Sequence, residues 1–207
     1  MSVQLPLIRN LGRTDYEPVW QDMKSFTNDR NADTRDELWL TQHNPVYTQG
    51  LNGKNEHILN AGNIPIVKVD RGGQITYHGP GQLVIYCLLD LKRLEIGIRE
   101  LVTYIEESII TLLNEYELNA YARKDAPGVY IDEAKIAALG LRIRKGCCYH
   151  GLSLNLDMDL TPFAGINPCG YKDLKVTQLI DFVPTITNEQ IEQRLCSQLI
   201  DTIGYER

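Results

Sequence analysis

The chain has 207 residues, 43% of them hydrophobic and 23% charged, with a formal net charge of −6. That length and balance suit a single globular domain with a sizeable core, and the negative charge speaks against nucleic-acid binding driven by phosphate neutralisation. No apolar run is long enough to span a membrane, no basic-then-apolar leader marks a secretory signal, and Cys87, Cys147, Cys148, Cys169 and Cys196 lack disulfide-like or zinc-like spacing, so reduced thiols and no metal are expected.

In chain order, Thr14 or Asp15 can cap a first helix, with Glu17 and Pro18 in its first turn and Val19, Met23 and Phe26 at helical spacing. Residues 37–41 and 46–48 read as short strands, and His43 and His57 read as surface or loop histidines. Two apolar runs of strand length, 64–69 and 83–89, then flank a hairpin-like unit. Between them lies Arg71-Gly72-Gly73-Gln74-Ile75-Thr76-Tyr77-His78-Gly79-Pro80-Gly81-Gln82, in which five residues of the twelve are Gly or Pro. Hairpin connections usually take about two to five residues. A longer one that sets an arginine, a tyrosine and a histidine beside flexible backbone reads as a binding surface.

Gly97 precedes the strongest helix signal, an apolar stripe through Leu101, Ile105, Ile109 and Leu112 that also takes in Ile98 and Val102, with Glu106 mainly off it. That helix reads as scaffold, not chemistry. Asp125-Ala126-Pro127-Gly128 is a turn before a strand at 129–131. Residues 135–143 and 148–156 pair around a basic turn, and matching their apolar faces sets Leu139 opposite Leu152. Alternation groups Lys135 with Ala137, Leu139 and Leu141, and His150 with Leu152 and Leu154. Lys135 therefore ends a buried face, where it either snorkels, as lysines usually do, or keeps a partly desolvated ammonium.

Residues 161–171 form a loop broken by Pro162, Gly165, Pro168 and Gly170. Within it, Pro168 and Gly170 keep bulk away from the Cys169 sulfur, whereas Cys87 and Cys196 read as small core residues. A short helix is expected over 173–180, and a last one capped by Thr187 and bearing Ile191, Leu195, Leu199 and Ile203. Paired strands interrupted by long helices argue a single α+β domain with a mixed sheet over 1–207.

The 71–82 stretch resembles the signature of the lipoyl(octanoyl) transferase family. Asp125-Ala126-Pro127-Gly128-Val129-Tyr130, Lys135-Ile136-Ala137-Ala138-Leu139-Gly140, His150-Gly151-Leu152 and Asn167-Pro168-Cys169-Gly170 look like that family's other blocks, in its order. The resemblance implies the fold of biotin and lipoate protein ligase catalytic domains, a mixed sheet flanked by helices. It implies transfer of an octanoyl group from acyl carrier protein to a lysine of lipoate-dependent enzyme domains, the first step of protein lipoylation. The acceptors would be lipoyl domains of 2-oxoacid dehydrogenases and the glycine cleavage H protein, with no cofactor, in a cytoplasmic monomer. Cys169 would form a thioester intermediate, with Lys135 as its partner. Arg71, Gly72, Gly73, Gln74, Ile75, Thr76, Tyr77 and His78, then Ala138, Leu139 and Gly140, then Gly151, Leu152 and Ser153, would line the substrate site. His78 reads as a positioning residue ahead of a general base. Exposed basic clumps, Arg142, Arg144 and Lys145 among them, suit docking of an acidic carrier. An ATP-dependent lipoate or biotin ligase and a non-catalytic carrier-binding module are the alternatives.

Overall fold

The computed structural model describes residues 3–172 and 174–205. Along the chain run β1 (Leu7–Thr14), α1 (Tyr16–Asp29), β2 (Glu37–His43), β3 (Val46–Gln49), β4 (Ile66–Lys68), β5 (Ile75–His78) and β6 (Gln82–Asp90). After these come α2 (Ile98–Asn114), β7 (Tyr121–Ala122), β8 (Val129–Ile131), β9 (Ala134–Arg144), β10 (Cys147–Asn155) and α3 (Asn188–Ile203). The larger sheet has the order β1-β2-β6-β10-β9-β8-β7, and the smaller β4-β3-β5. β1 runs parallel to β2 and β3 parallel to β4, while the other paired neighbours are antiparallel, so both sheets are mixed.

Alternation in β6 divides the core. Leu83, Ile85, Cys87 and Leu89 face α2 and α3, meeting Leu101, Ile105 and Ile109 of one and Ile191, Leu195 and Leu199 of the other. Val84, Tyr86 and Leu88 face the opposite way, onto Tyr16, Val19 and Met23 of α1. The caps agree with the sequence: Asp15 precedes α1, Gly97 precedes α2, and the Thr187 side chain accepts from the Gln190 backbone N–H at 3.4 Å at the start of α3. No helix among the described residues is long and apolar enough to cross a membrane.

Four expectations need correction. The 71–82 stretch is not one loop: all four residues of its middle, Ile75–His78, are buried as β5, which pairs with β3. The runs at 64–69 and 83–89 accordingly contribute to separate sheets, not to one hairpin. No helix spans the described part of 173–180. Val176 instead makes an isolated bridge to Lys135, and Leu179–Asp181 is a single 3-10 turn, Asp173 lying outside the described residues. Third, His43 is fully buried, with Nε2 2.5 Å from the Tyr86 hydroxyl. Finally, strict alternation fails at both ends of the β9–β10 pair. A register shift against β8 sends both Ile136 and Ala137 into one apolar cluster, and His150 has a φ of +62°. That left-handed backbone sets the His150 ring beside Tyr149, their centroids 5.0 Å apart, and away from the Leu152 and Leu154 cluster. The central pairing is as read: Leu139 stands opposite Leu152.

Candidate active site

Small residues make room for the site. Ala138 stands opposite Ser153 and Gly140 opposite Gly151, and these four border a cavity of about 540 Å³. A Cβ on Gly151 would come within 2.0 Å of the Ile85 carbonyl oxygen, so glycine here lets β10 and β6 approach. β9 leaves β8 beyond Ala137, and the 71–73 loop lies along the edge so freed, Gly72 N–H donating to the Leu141 carbonyl at 2.9 Å.

Arg71 braces that loop from inside. Its guanidinium donates to the carbonyls of Thr48 at 2.5 Å, Gly72 at 2.9 Å and Gln74 at 2.9 Å, and its Nε to Thr48 Oγ1 at 3.2 Å. A cation this buried persists because its donors are satisfied. All the anticipated substrate-site residues border the cavity except Tyr77. Alternation in β5 turns that ring the other way, into a cluster with Tyr47 and Phe163.

Two segments distant in sequence bring Cys169 and Lys135 together. Cys169 sits in the 3-10 turn Pro168–Gly170 with a φ of +56°, half-buried at the cavity wall. Lys135 borders an adjoining crevice that Cys169 shares. Its Nζ donates to the Cys169 Sγ at 3.2 Å and to the Pro127 carbonyl at 3.0 Å, and lies 5.2 Å from the Tyr130 ring centroid. Lys135 is 4% exposed, so the ammonium does not snorkel. Two backbone bonds to the 174–178 segment clamp it: Lys135 N–H to the Lys175 carbonyl and Thr177 N–H to the Lys135 carbonyl. Burial alone would lower the Lys135 pKa, but the Cys169 sulfur and Tyr130 outweigh it and hold the ammonium above its ordinary value.

Histidines and tyrosines close the deep end. His78 Nδ1 lies 2.6 Å from Gln82 Oε1, and Nε2 3.2 Å from Thr48 Oγ1. Gln82 Nε2 donates to Asn155 Oδ1 at 2.9 Å, which fixes Oε1 as the acceptor toward His78. Nδ1 therefore carries the proton, and Nε2 accepts from the Thr48 hydroxyl. Burial, then the nearby His43, push the His78 pKa down to about 3, so the ring is neutral. His150 Nε2 donates to Asp70 Oδ1 at 3.0 Å, and that carboxylate also accepts from Trp20 and Tyr149. His150 Nδ1 has no hydrogen-bond partner among the described residues.

Several residues here escaped the sequence reading. Asp70 directly precedes Arg71, a signal that was available. Tyr16 and Tyr86 also border the cavity, as do Ile98 and Val102 of α2, the helix that reads as scaffold. Among the described residues no group of three or more His, Cys, Asp or Glu side chains could hold a metal.

The family described as lipoyl protein ligase A/B catalytic domain matches residues 15–200. An octanoyltransferase of Shewanella baltica (strain OS155) is 63% identical over 199 residues, covering 96% of this chain and 92% of the relative. One from Vibrio cholerae serotype O1 is 57% identical over 201 residues, covering 97% and 93%. Among solved structures, a lipoate-protein ligase A bound with ATP superposes with a TM-score of 0.79 at 15% identity, covering 97% of this chain and 86% of that one. A biotin protein ligase from Aquifex aeolicus gives 0.61 at 12% identity, covering 97% and 69%. At such identities these two likenesses speak to the fold alone.

Proposed function

The chain belongs to the lipoyl protein ligase A/B catalytic-domain family, and from that premise we propose that it is an octanoyltransferase working through a Cys169 thioester, with acyl carrier protein as donor and a lysine of a lipoyl domain as acceptor. The observation that carries this reading is the 3.2 Å contact between Lys135 Nζ and Cys169 Sγ at the wall of a largely apolar cavity.

The chemistry is limited by protonation. At pH 7 an ordinary thiol is only about 3% thiolate. A buried ammonium beside the sulfur favours the ion pair. The Cys169 thiolate attacks the carrier thioester, the new C–S bond forms, and the old one breaks. The departing carrier thiolate takes a proton from the Lys135 ammonium. Lys135 is then neutral beside an uncharged thioester, and the attraction that had raised its pKa is gone. Burial remains and favours the free amine, which suits a base. An acceptor lysine entering as its amine attacks the acyl carbon and gives its proton to Lys135, and the Cys169 thiolate leaves. The ion pair is restored without ATP. His78, neutral and bonded through both ring nitrogens, is read as a positioning residue.

The walls suit an acyl chain. Burying about six methylenes at ~0.8 kcal/mol each provides up to ~5 kcal/mol. Incubating the protein with octanoyl carrier protein should leave one octanoyl group on Cys169, seen by intact mass and peptide mapping, and adding an acceptor domain should remove it. Octanoyl on Cys147 instead, or labelling only from free octanoate with ATP, overturns the proposal.

A further inference from the structure

The face of α2 that borders the cavity does not end with its apolar residues. Ile98 and Val102 line the cavity, and they stand four residues apart, on one helical face. Four residues further on is Glu106, one turn along toward the turn that precedes β8. Its Oε1 accepts from the Gly128 backbone N–H at 2.7 Å. Gly128 follows Pro127, whose carbonyl accepts from the Lys135 ammonium at 3.0 Å.

The Gly128 conformation leaves little freedom to this arrangement. Its φ of +137° is one that L residues rarely adopt, and a Cβ there would lie 3.0 Å from Lys135 Cε and 3.1 Å from Nζ. The turn is thus closely packed on the lysine: Asp125 and Pro127 are exposed, while Ala126 between them is buried and its carbonyl accepts from the Tyr130 hydroxyl at 2.7 Å. An internal hydrogen bond to a carboxylate is the strong kind, since an ionised acceptor roughly doubles the strength of a neutral bond.

We infer that Glu106 is a positioning residue for the nucleophile: by holding Gly128 N–H it sets the Pro127 carbonyl, which sets Lys135 Nζ against Cys169 Sγ. Glu106 reaches the reacting atoms through three links, each with its own contact: carboxylate to turn, turn carbonyl to ammonium, ammonium to sulfur. The inference rests on the acyl-transfer reading only in taking Cys169 and Lys135 as the reacting pair.

The test uses the full chain and two readouts. Alkylation of Cys169 by iodoacetamide at pH 7 reports the thiolate without any acyl donor, and single-turnover acylation from octanoyl carrier protein reports the reaction. Glu106→Ala should slow both by about tenfold to a hundredfold, the usual consequence of misplacing a reacting group by a fraction of an ångström to an ångström. The donor concentration for half-maximal rate should change little. Glu106→Gln keeps an oxygen acceptor for Gly128 N–H and should restore both rates to within about threefold of the parent. Glu107→Ala, at the exposed neighbouring position, serves as the control for helix perturbation. Equal rates in Glu106→Ala and the parent overturn the inference, as does a Glu106→Gln variant that is folded by thermal melt yet as slow as Glu106→Ala. A parent protein that is alkylated normally but takes no octanoyl group would sink the functional reading and leave the positioning inference to the alkylation rates.

Discussion

His43 and His78 do not behave as ordinary histidines. Burial foremost holds the His43 pKa down to about 4, and the His78 pKa is down to about 3. Both values lie below the ordinary histidine value near 6.5, so the unfolded chain binds these protons first. The stability they permit is complete above about pH 6.5 and falls as the pH drops toward 4. At pH 5 the loss is on the order of 2 kcal/mol for each ring. The urea midpoint should therefore decrease between pH 7 and pH 5, and His43→Gln should make that decrease smaller, with His78 and His150, whose pKa is also lowered, accounting for the rest. An identical pH response in the variant would show that His43 is not the titrating group. Their neutrality was not legible in the sequence, because it depends on enclosure. His43 follows a strand and precedes Asn44-Pro45, which reads as a loop, yet its neighbours Tyr16, Tyr86 and His78 all come from other elements. His150 was misplaced for a related reason. A single left-handed residue changes which face a side chain joins, and no composition rule marks a histidine for that conformation.

At the scale of elements, the amphipathic helices were legible because periodicity and caps gave the same answer, and the Leu139–Leu152 pairing because both strands have one apolar face. The misread elements lacked one of those agreements. β1 is mostly exposed, so alternation has little to act on, and its pairing with β2 rests on backbone bonds and on polar side-chain contacts such as Arg9 to Glu37 and Thr14 to Thr41. β5 lies inside a glycine-rich stretch whose composition signals a turn, while its burial comes from packing on β3. Residues 174–178 pair with the backbone of Lys135, so their extended form answers to a strand far away in sequence. The turn before β8 was read correctly as a turn, but its job is to face the lysine. Gly128→Ala tests that job. The added methyl would meet the Ala137 carbonyl at 2.6 Å and the lysine side chain near 3 Å, in a conformation that alanine resists. Stability should fall by about 1–3 kcal/mol, and acylation of Cys169 should fall by about a hundredfold or more. Near-parental acylation by a folded Gly128→Ala protein would mean that the Pro127 carbonyl does not govern where the ammonium sits.

Across the whole molecule, the cavity opens where three of the exposed large apolar residues converge, Leu51 at 58%, Ile98 at 40% and Tyr171 at 39% exposure. They come from the loop after β3, the start of α2 and the turn after Cys169, so no local stretch of sequence could have revealed the rim. Arg142 borders the same cavity, and Arg144 and Lys145 continue the basic end of β9 on the exposed surface. The chain as a whole carries a net charge of −6, so an acidic carrier approaching from elsewhere would be repelled, and this end of β9 is a local exception. If an acidic donor docks here, attraction should act on encounter and binding but not on the bond-making step, because these charges are exposed and lie outside the Lys135–Cys169 contact. Arg144→Glu should therefore raise KM for octanoyl carrier protein about threefold to tenfold at low salt and leave kcat nearly unchanged. Near 0.3 M salt the screening length shrinks to about 6 Å, and the difference between parent and variant should largely vanish. A short soluble octanoyl thioester without a carrier should be indifferent to both changes. If the variant loses activity equally on the carrier and on the short thioester, the basic end of β9 supports the fold or the site and does not steer the donor.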